Sequence, residues 1–393
     1  MKKRSSPKKK KPSFRIPDCK RFTGYKPCFP DTQCYKECVS ENRIGTKILI
    51  VNLDAMGAVL QTTAMLYAIK RKYPVSHISW ITLKNAYRLL ENNPLVDAAY
   101  TWDPENWLIL QNIEFDVVYS TDKSKRSCAF ANSLVAKEKI GFGLNKNGVI
   151  VPLNKEAEYC YLLGLDDHLK FHVNKKYGTE ILQEAMKLKF RRDEYILNLS
   201  DPEKEFCDRY KKEVGLREDD CIVGFNTGCS YLYPNKKMTV EQHVTLIEKL
   251  SPVEGLKLVL LGGPEDTERN AEITRRAGKN ITNTPTSEGI RRGICYENIC
   301  DVIVTGDSFG MHVAIGLKKY VIVWFGLSCW SEIDLYERGV KLIPEGLHCA
   351  PCWKKACPYD LECIQMIDLN GIVQSVQKYR RENPRRQNRL ITA

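Results

Sequence analysis

Hydrophobic positions along this chain come in short runs separated by turns and amphipathic stretches. Lys47-Ile48-Leu49-Ile50-Val51 is apolar and β-branched without alternation, the pattern of a strand buried on both faces. The turn Asn52 to Gly57 follows, then a helix from Ala58 to Lys72 that stops before Pro74. Further strands are expected over His77–Thr82 and Phe115–Ser120, with a short helix over Tyr87–Asn92 between them. Tyr159–Leu165 and Thr179–Leu188 read as helices. Asp201-Pro202-Glu203 opens another, because Asp is a good N-cap and Pro fits the first turn. A second alternation then begins. It consists of strand Cys221–Phe225, loop Asn226–Ser230, a helix capped by Thr239 and running through Leu250, strand Leu256–Leu261, and a short strand at Ile281. This alternation predicts an α/β protein with two doubly wound domains facing each other.

The most compact unit runs from Asp301 to Gly326. Val302-Ile303-Val304-Thr305 is a strand, Gly306–Phe309 a turn with Ser308 placed to cap a helix over Gly310–Leu317, and Val321–Trp324 the next strand. Asp307 therefore lies at the carboxyl end of its strand, where ligands bind in open α/β sheets. Backbone N–H groups near Gly310, Met311 and His312 make a seat for a phosphate.

Charge and cysteine content extend the picture. The chain has 393 residues, a net charge of +12 and 16 cysteines. Residues 1–12 contribute +7 and residues 378–393 contribute +5, so the body between them is formally neutral. Such basic ends suit an anionic membrane surface or nucleic acid, and a neutral body without interleaved aromatic and basic residues argues against nucleic acid. No apolar run approaches the ~20 residues of a membrane span and nothing resembles a signal peptide, so a cytoplasmic location is expected, with the tails allowing peripheral contact at the inner membrane surface. Cys19, Cys28, Cys34 and Cys38 cluster near the start, and Cys349, Cys352, Cys357 and Cys363 near the end. Four thiolates so close can surround one tetrahedral zinc or iron.

Four segments in order resemble the heptosyltransferase family of GT-B glycosyltransferases. They are KILIVNLDAMGAVLQTT, GFNTGCSYLYPNKKMT, GDSFGMHVAIGLKKYVIVWFG and HCAPCWKKACPYDLECIQMID. The resemblance implies a GT-B fold of two Rossmann-like domains across a cleft, the acceptor held by residues 46–200 and a nucleotide sugar by 218–345. Residues 1–45 would form the basic tail and first cysteine cluster. Residues 346–393 would hold the second cluster, a closing helix that crosses back to the first domain, and the basic end. Asp307, Ser308, Gly310, Met311 and His312 match the family's donor motif, with Phe309-Gly310 replacing its Gly-Pro. Thr227, Gly228, Lys236 and Lys237 would face the diphosphate, and Glu265 or Asp266 the ribose. No catalytic metal is implied. The C-terminal cysteines resemble a cluster common in the family, and an iron-bound finger occurs in its protein-glycosylating branch.

One departure bears on chemistry. Where the family places an aspartate after the glycine of the first turn, as the likely base, this chain has Ala58. Asp54 in the same turn is the expected substitute and Asp122 the alternative. The resulting expectation is a glycosyltransferase moving heptose from ADP-heptose, or a sugar from another nucleotide donor, to an envelope glycan, lipid core or protein. Its alternatives are a binding-only degenerate member and a metal-binding nucleic-acid or scaffold protein.

Overall fold

The structure is a computed structural model that describes residues 13–22, 24–30, 32–37, 43–53, 55–278 and 281–384. Most of both basic ends, Asp54 and Cys38 lie outside these residues. Two six-stranded sheets are built from them. The first contains β1 (Thr46–Val51), β2 (Ser76–Thr82), β3 (Ala98–Thr101), β4 (Glu114–Ser120), β5 (Val135–Leu144) and β6 (Ile150–Pro152), in the order β3-β2-β1-β4-β5-β6. Its pairs are parallel except β5 with β6. The second contains β7 (Cys221–Asn226), β8 (Leu256–Leu261), β9 (Thr282–Asn283), β10 (Val302–Gly306), β11 (Tyr320–Trp324) and β12 (Gly339–Leu342), in the order β12-β11-β10-β7-β8-β9, all parallel.

The central strands match the apolar runs because they are covered on both faces: β1 ends in four buried residues and β7 is buried throughout. The strands that the hydrophobic pattern misses have a reason to be faint. β3 and β12 are edge strands, half-buried along their length, and β5 begins with Val-Ala-Lys-Glu-Lys before its buried portion. The first long helix is in fact two, Met56–Thr63 and Met65–Lys72. At the break, the Thr63 hydroxyl donates to the Leu60 carbonyl and accepts from the Ile196 N–H at 2.8 Å, a local competition with the helical ladder.

Two further readings are corrected. The helix Asp201–Glu213 is capped by Ser200, not Asp201, in a reciprocal capping box with Glu203. It packs on helix Ile290–Asn298 of the second half. The closing helix, Leu369–Glu382, does not run along the first half. Its Ile372 and Val376 are buried in the second half's core against helix Val240–Leu250 and β11, and Lys249 donates to Asn370.

The halves share an apolar core through the extended connection around Tyr195, Ile196 and Leu197. Arg192 grips buried Asp334 with two bonds of 2.7 and 2.8 Å, and Arg71 pairs with Asp193. In each sheet the winding direction changes beside the first strand, between β1 and β4 and between β7 and β10. The second switch point carries most of the candidate donor residues.

Candidate active site

β10 ends at Gly306, leaving Asp307 at the rim of the sheet. The loop before helix Val240–Leu250 crosses this rim: the Trp324 indole donates to the Lys236 carbonyl at 3.0 Å, while a Cβ on Gly306 would already touch that carbonyl at 3.0 Å. With its backbone anchored, Lys236 extends its ammonium to Asp307 at 2.6 Å, both side chains being nearly buried. Burial alone would push the Asp307 carboxyl up, but Lys236 outweighs it and holds the group below the usual range, so it stays ionised. Next to this pair, Lys237 reaches Asp266 at 2.8 Å. Asp266 is buried and also accepts from the Gly263 N–H. Gly228 is a matter of space here, since a Cβ would come 2.1 Å from the Asp266 carboxylate. Asp266 thus fastens the loops around Gly228, Lys237 and Gly263 together, while Glu265 is exposed.

Ser308 occupies the N-cap position of helix Phe309–Gly316, yet its hydroxyl makes no bond into that helix. It accepts instead from the Asn226 amide at 2.8 Å, and that amide also reaches Thr305. Gly310 is required by this arrangement: a Cβ there would lie 2.1 Å from the Asn226 amide nitrogen. Asn226, invisible as a site residue in sequence, therefore holds the turn while the N–H groups of the first helical turn keep their freedom to face an anion. Thr227 is buried and bonds Asn270. Met311 is fully buried and belongs to the core, so only its backbone is available to a ligand.

His312 faces the other half of the molecule. Its Nδ1 lies 3.4 Å from the Tyr195 hydroxyl, and its ring packs so closely on Gly57 that no side chain fits there. Burial pushes the imidazole down to about 4, against the pull of Asp307 in the other direction. It is neutral at physiological pH.

The two expected bases differ in standing. Asp54 lies outside the described residues, between β1 and the helix that carries Ala58. Asp122 is buried and accepts from the Asn52 amide at 2.6 Å, from the Leu53 N–H and from the Ser127 hydroxyl at 3.0 Å. A carboxylate so engaged holds the first turn in place. Sequence reasoning missed Glu332, which follows β11 beside the cleft. Burial raises its carboxyl, with Lys170 and Lys123 opposing, and its backbone carbonyl lies 3.2 Å from the point where a Cβ on Gly178 would sit, next to the Gln61 amide. Also missed was Trp353, whose ring stands 4.8 Å from the Lys236 ammonium and 5.3 Å from the Tyr233 ring. Nothing in composition or periodicity marks a lone tryptophan in a cysteine-rich loop.

Among the described residues no group of three or more His, Cys, Asp or Glu side chains is arranged to hold a metal ion. Near the start, Cys19 lies in an irregular stretch, Cys28 in a bend and Cys34 in a turn, and the fourth member of that cluster, Cys38, is outside the described residues. At the other end Cys349, Cys352, Cys357 and Cys363 do line one cavity, with Asn235 and Leu327. Burial, and then the neighbouring sulfurs, raise the thiols of Cys349 and Cys363, the latter to about 11. The donor chemistry of four clustered sulfurs fits a soft metal.

The chain matches glycosyltransferase family 9 (heptosyltransferase) over residues 107–362. It is 20% identical over 347 residues to lipooligosaccharide heptosyltransferase 2 of Campylobacter jejuni subsp. jejuni serotype O:6, an alignment spanning 84% of this chain and 98% of that one. Among solved structures it is similar to the glycosyl transferase family 9 from Veillonella parvula DSM 2008, with a TM-score of 0.66 at 17% identity over 86% of this chain and 98% of the other. It is also similar to E. coli ADP-heptose LPS heptosyltransferase II, with a TM-score of 0.63 at 17% identity over 86% of this chain and all 100% of the other. A family match over more than half its length, on two facing six-stranded sheets, establishes that this chain is a GT-B glycosyltransferase belonging to glycosyltransferase family 9.

Proposed function

We propose that this enzyme transfers heptose from ADP-heptose to a hydroxyl of a lipooligosaccharide core. The observation that carries the donor assignment is the Lys236–Asp307 pair at the rim of β10, beside a helix start whose cap residue leaves its N–H groups untouched. Bond cleavage at the sugar leaves negative charge on the departing diphosphate. Fixed positive charge and oriented N–H groups stabilise that charge more in the transition state than in the ground state. Lys236 and Lys237 supply the cations, while Asp307 and Asp266 hold the two ammonium groups in position before donor binds. Gly310 and Met311 supply N–H groups at the positive end of the helix.

The first half receives the acceptor, and its hydroxyl proton goes to a carboxylate at the cleft. Asp54 takes this role, in the turn that Asp122 braces. The E. coli relative, an ADP-heptose LPS heptosyltransferase, and the Campylobacter relative, a lipooligosaccharide heptosyltransferase, support the choice of substrates. Where the acceptor is lipid-anchored, the basic ends bring the enzyme to the anionic surface that displays it. Among the described residues no helix is long and apolar enough to cross a membrane. The C-terminal cysteines take up a soft metal, zinc or iron, with a structural role.

The test offers a panel of nucleotide sugars and follows thermal stabilisation, then ADP release with a lipooligosaccharide core acceptor. A donor at 100 times its Kd stabilises the protein by about 2.7 kcal/mol. Stabilisation by ADP-heptose together with acceptor-dependent ADP release is expected. Stabilisation without release, under any acceptor, would favour a binding-only protein. Preferential stabilisation by another nucleotide sugar would overturn the donor assignment.

A further inference from the structure

Two ammonium groups from opposite halves of the molecule meet one indole. Trp353 lies on the C-terminal cysteine loop, with its ring centroid 4.8 Å from Nζ of Lys236 and 5.1 Å from Nζ of Lys170. Lys236 belongs to the second half. Lys170 belongs to the first, in the single turn Leu169–Val173. The two ammonium groups are therefore at most about 10 Å apart. Like charges at that range repel, and the negative face of the ring offsets only part of the repulsion. Lys236 has Asp307 as a counter-charge. Lys170 forms no ion pair among the described residues: the Glu332 carboxyl is near enough to feel its charge without contacting it, and the Lys170 backbone carbonyl is pinned by the Cys329 thiol at 3.5 Å.

The loop that presents the indole is well held. The N–H groups of Cys352 and Trp353 both donate to the Leu327 carbonyl, at 3.1 and 2.9 Å. Asn235, next to Lys236, donates to the Lys354 carbonyl at 3.0 Å. Trp353 is still 40% exposed, so the ring opens to solvent beside the cleft and is not part of the core.

We propose that Lys170 is a further donor-binding residue, and that Trp353 positions it with Lys236 to receive the diphosphate between them. This rests on the reading that the donor is a nucleoside-diphosphate sugar. A diphosphate bridges the gap with a charge-assisted contact of about 2.8 Å at each end. It replaces the repulsion between the two lysines by two attractions. Because one cation comes from each half, donor binding also draws the halves onto a common ligand. The cysteine loop thereby acts on the donor site through its tryptophan.

The probes are ADP and adenosine, titrated calorimetrically into the intact protein and into Lys170→Ala, Trp353→Leu and Trp353→Phe. Lys170→Ala and Trp353→Leu should each weaken ADP about tenfold while leaving adenosine unchanged, and Trp353→Phe should recover most of the loss. Lys170 is half-buried and its ammonium makes no ion pair among the described residues, so an unchanged thermal midpoint is expected for Lys170→Ala and its result does not depend on how well the tryptophan variants fold. ADP should also change the parent's tryptophan fluorescence, and that change should be lost in Trp353→Phe. ADP binding at parental strength in both Lys170→Ala and Trp353→Leu would overturn the proposal and leave the donor site at Lys236 standing. Equal weakening of ADP and adenosine would overturn it too, because that would indicate general damage. A parent protein that binds no ADP would overturn both this and the donor reading.

Discussion

Gly57, at the start of the first helix, and His312, in the helix after β10, meet across the two halves with no room for a side chain: a Cβ built on Gly57 would lie 2.5 Å from Cδ2 of the imidazole. The family donor motif and the first signature of the chain are thus in direct contact. The glycine at the end of the turn after β1 is therefore a spacer that lets the two halves touch.

Gly57→Ala tests this contact. In an exposed helix the change would stabilise by up to about 1 kcal/mol. Overpacking against a ring held by Tyr195 costs about 1–3 kcal/mol. The second effect wins, so a net fall in the urea midpoint is expected. Combining it with His312→Ala should remove the overpacking cost. A fall of the same size in the double variant as the sum of the singles would show that Gly57 matters for another reason.

Stability should fall in mild acid because of two histidines. Burial pushes His243 down to about 4, with the Thr239 carbonyl opposing, and His312 is pushed down to about 4 as well. The unfolded chain takes up protons near pH 6.5, and the native state does not until about pH 4. Above pH 6.5 both states are neutral and the effect vanishes. Between those limits native stability declines as pH falls, on the order of 2 kcal/mol at pH 5 for fully buried His243. Comparing urea midpoints at pH 7 and pH 5, the parent should lose more than His243→Gln. Equal losses would rule out this histidine as the source.

The two acids of the first half should separate cleanly. Asp122→Asn loses an acceptor for the Leu53 N–H and the Ser127 hydroxyl, and should cost about 1–3 kcal/mol of stability. Asp54→Asn should keep the parental stability and lower turnover by about 10²–10⁴-fold. If Asp54→Asn turns over at the parental rate while Glu332→Gln falls in that range, the base comes from the loop after β11.

Metal content decides the fate of the cysteine clusters. Protein purified without chelators should carry about one equivalent of zinc or iron, held by the C-terminal four. Cys352→Ser should lower it, and Cys28→Ser should not. Elemental analysis that finds neither metal would assign these thiols to packing around their cavity.

The alternation of buried runs and turns determined the α/β class, the central strands and the position of Asp307 at a strand end. Those features rest on local physics: a strand covered on both faces must be apolar, and a parallel neighbour requires a helix between. β3 and β12 stayed hidden because edge strands meet solvent on one side and mix polar with apolar residues, and β5 because its first half, Val-Ala-Lys-Glu-Lys, is mostly polar and only partly buried. The roles of side chains within the site were also hidden. Whether Ser308 caps its own helix or accepts from Asn226 depends on a partner 82 residues away. Whether the closing helix crosses to the first half or stays on the second depends on which apolar face is left uncovered, and that face, on helix Val240–Leu250 and β11, belongs to the second half. Trp353 and Lys170 became site residues only when separate parts of the chain were brought to one cleft. Hydrophobic pattern is a property of neighbours in sequence, but an ion pair, a cap or a cation–π contact is a property of neighbours in space.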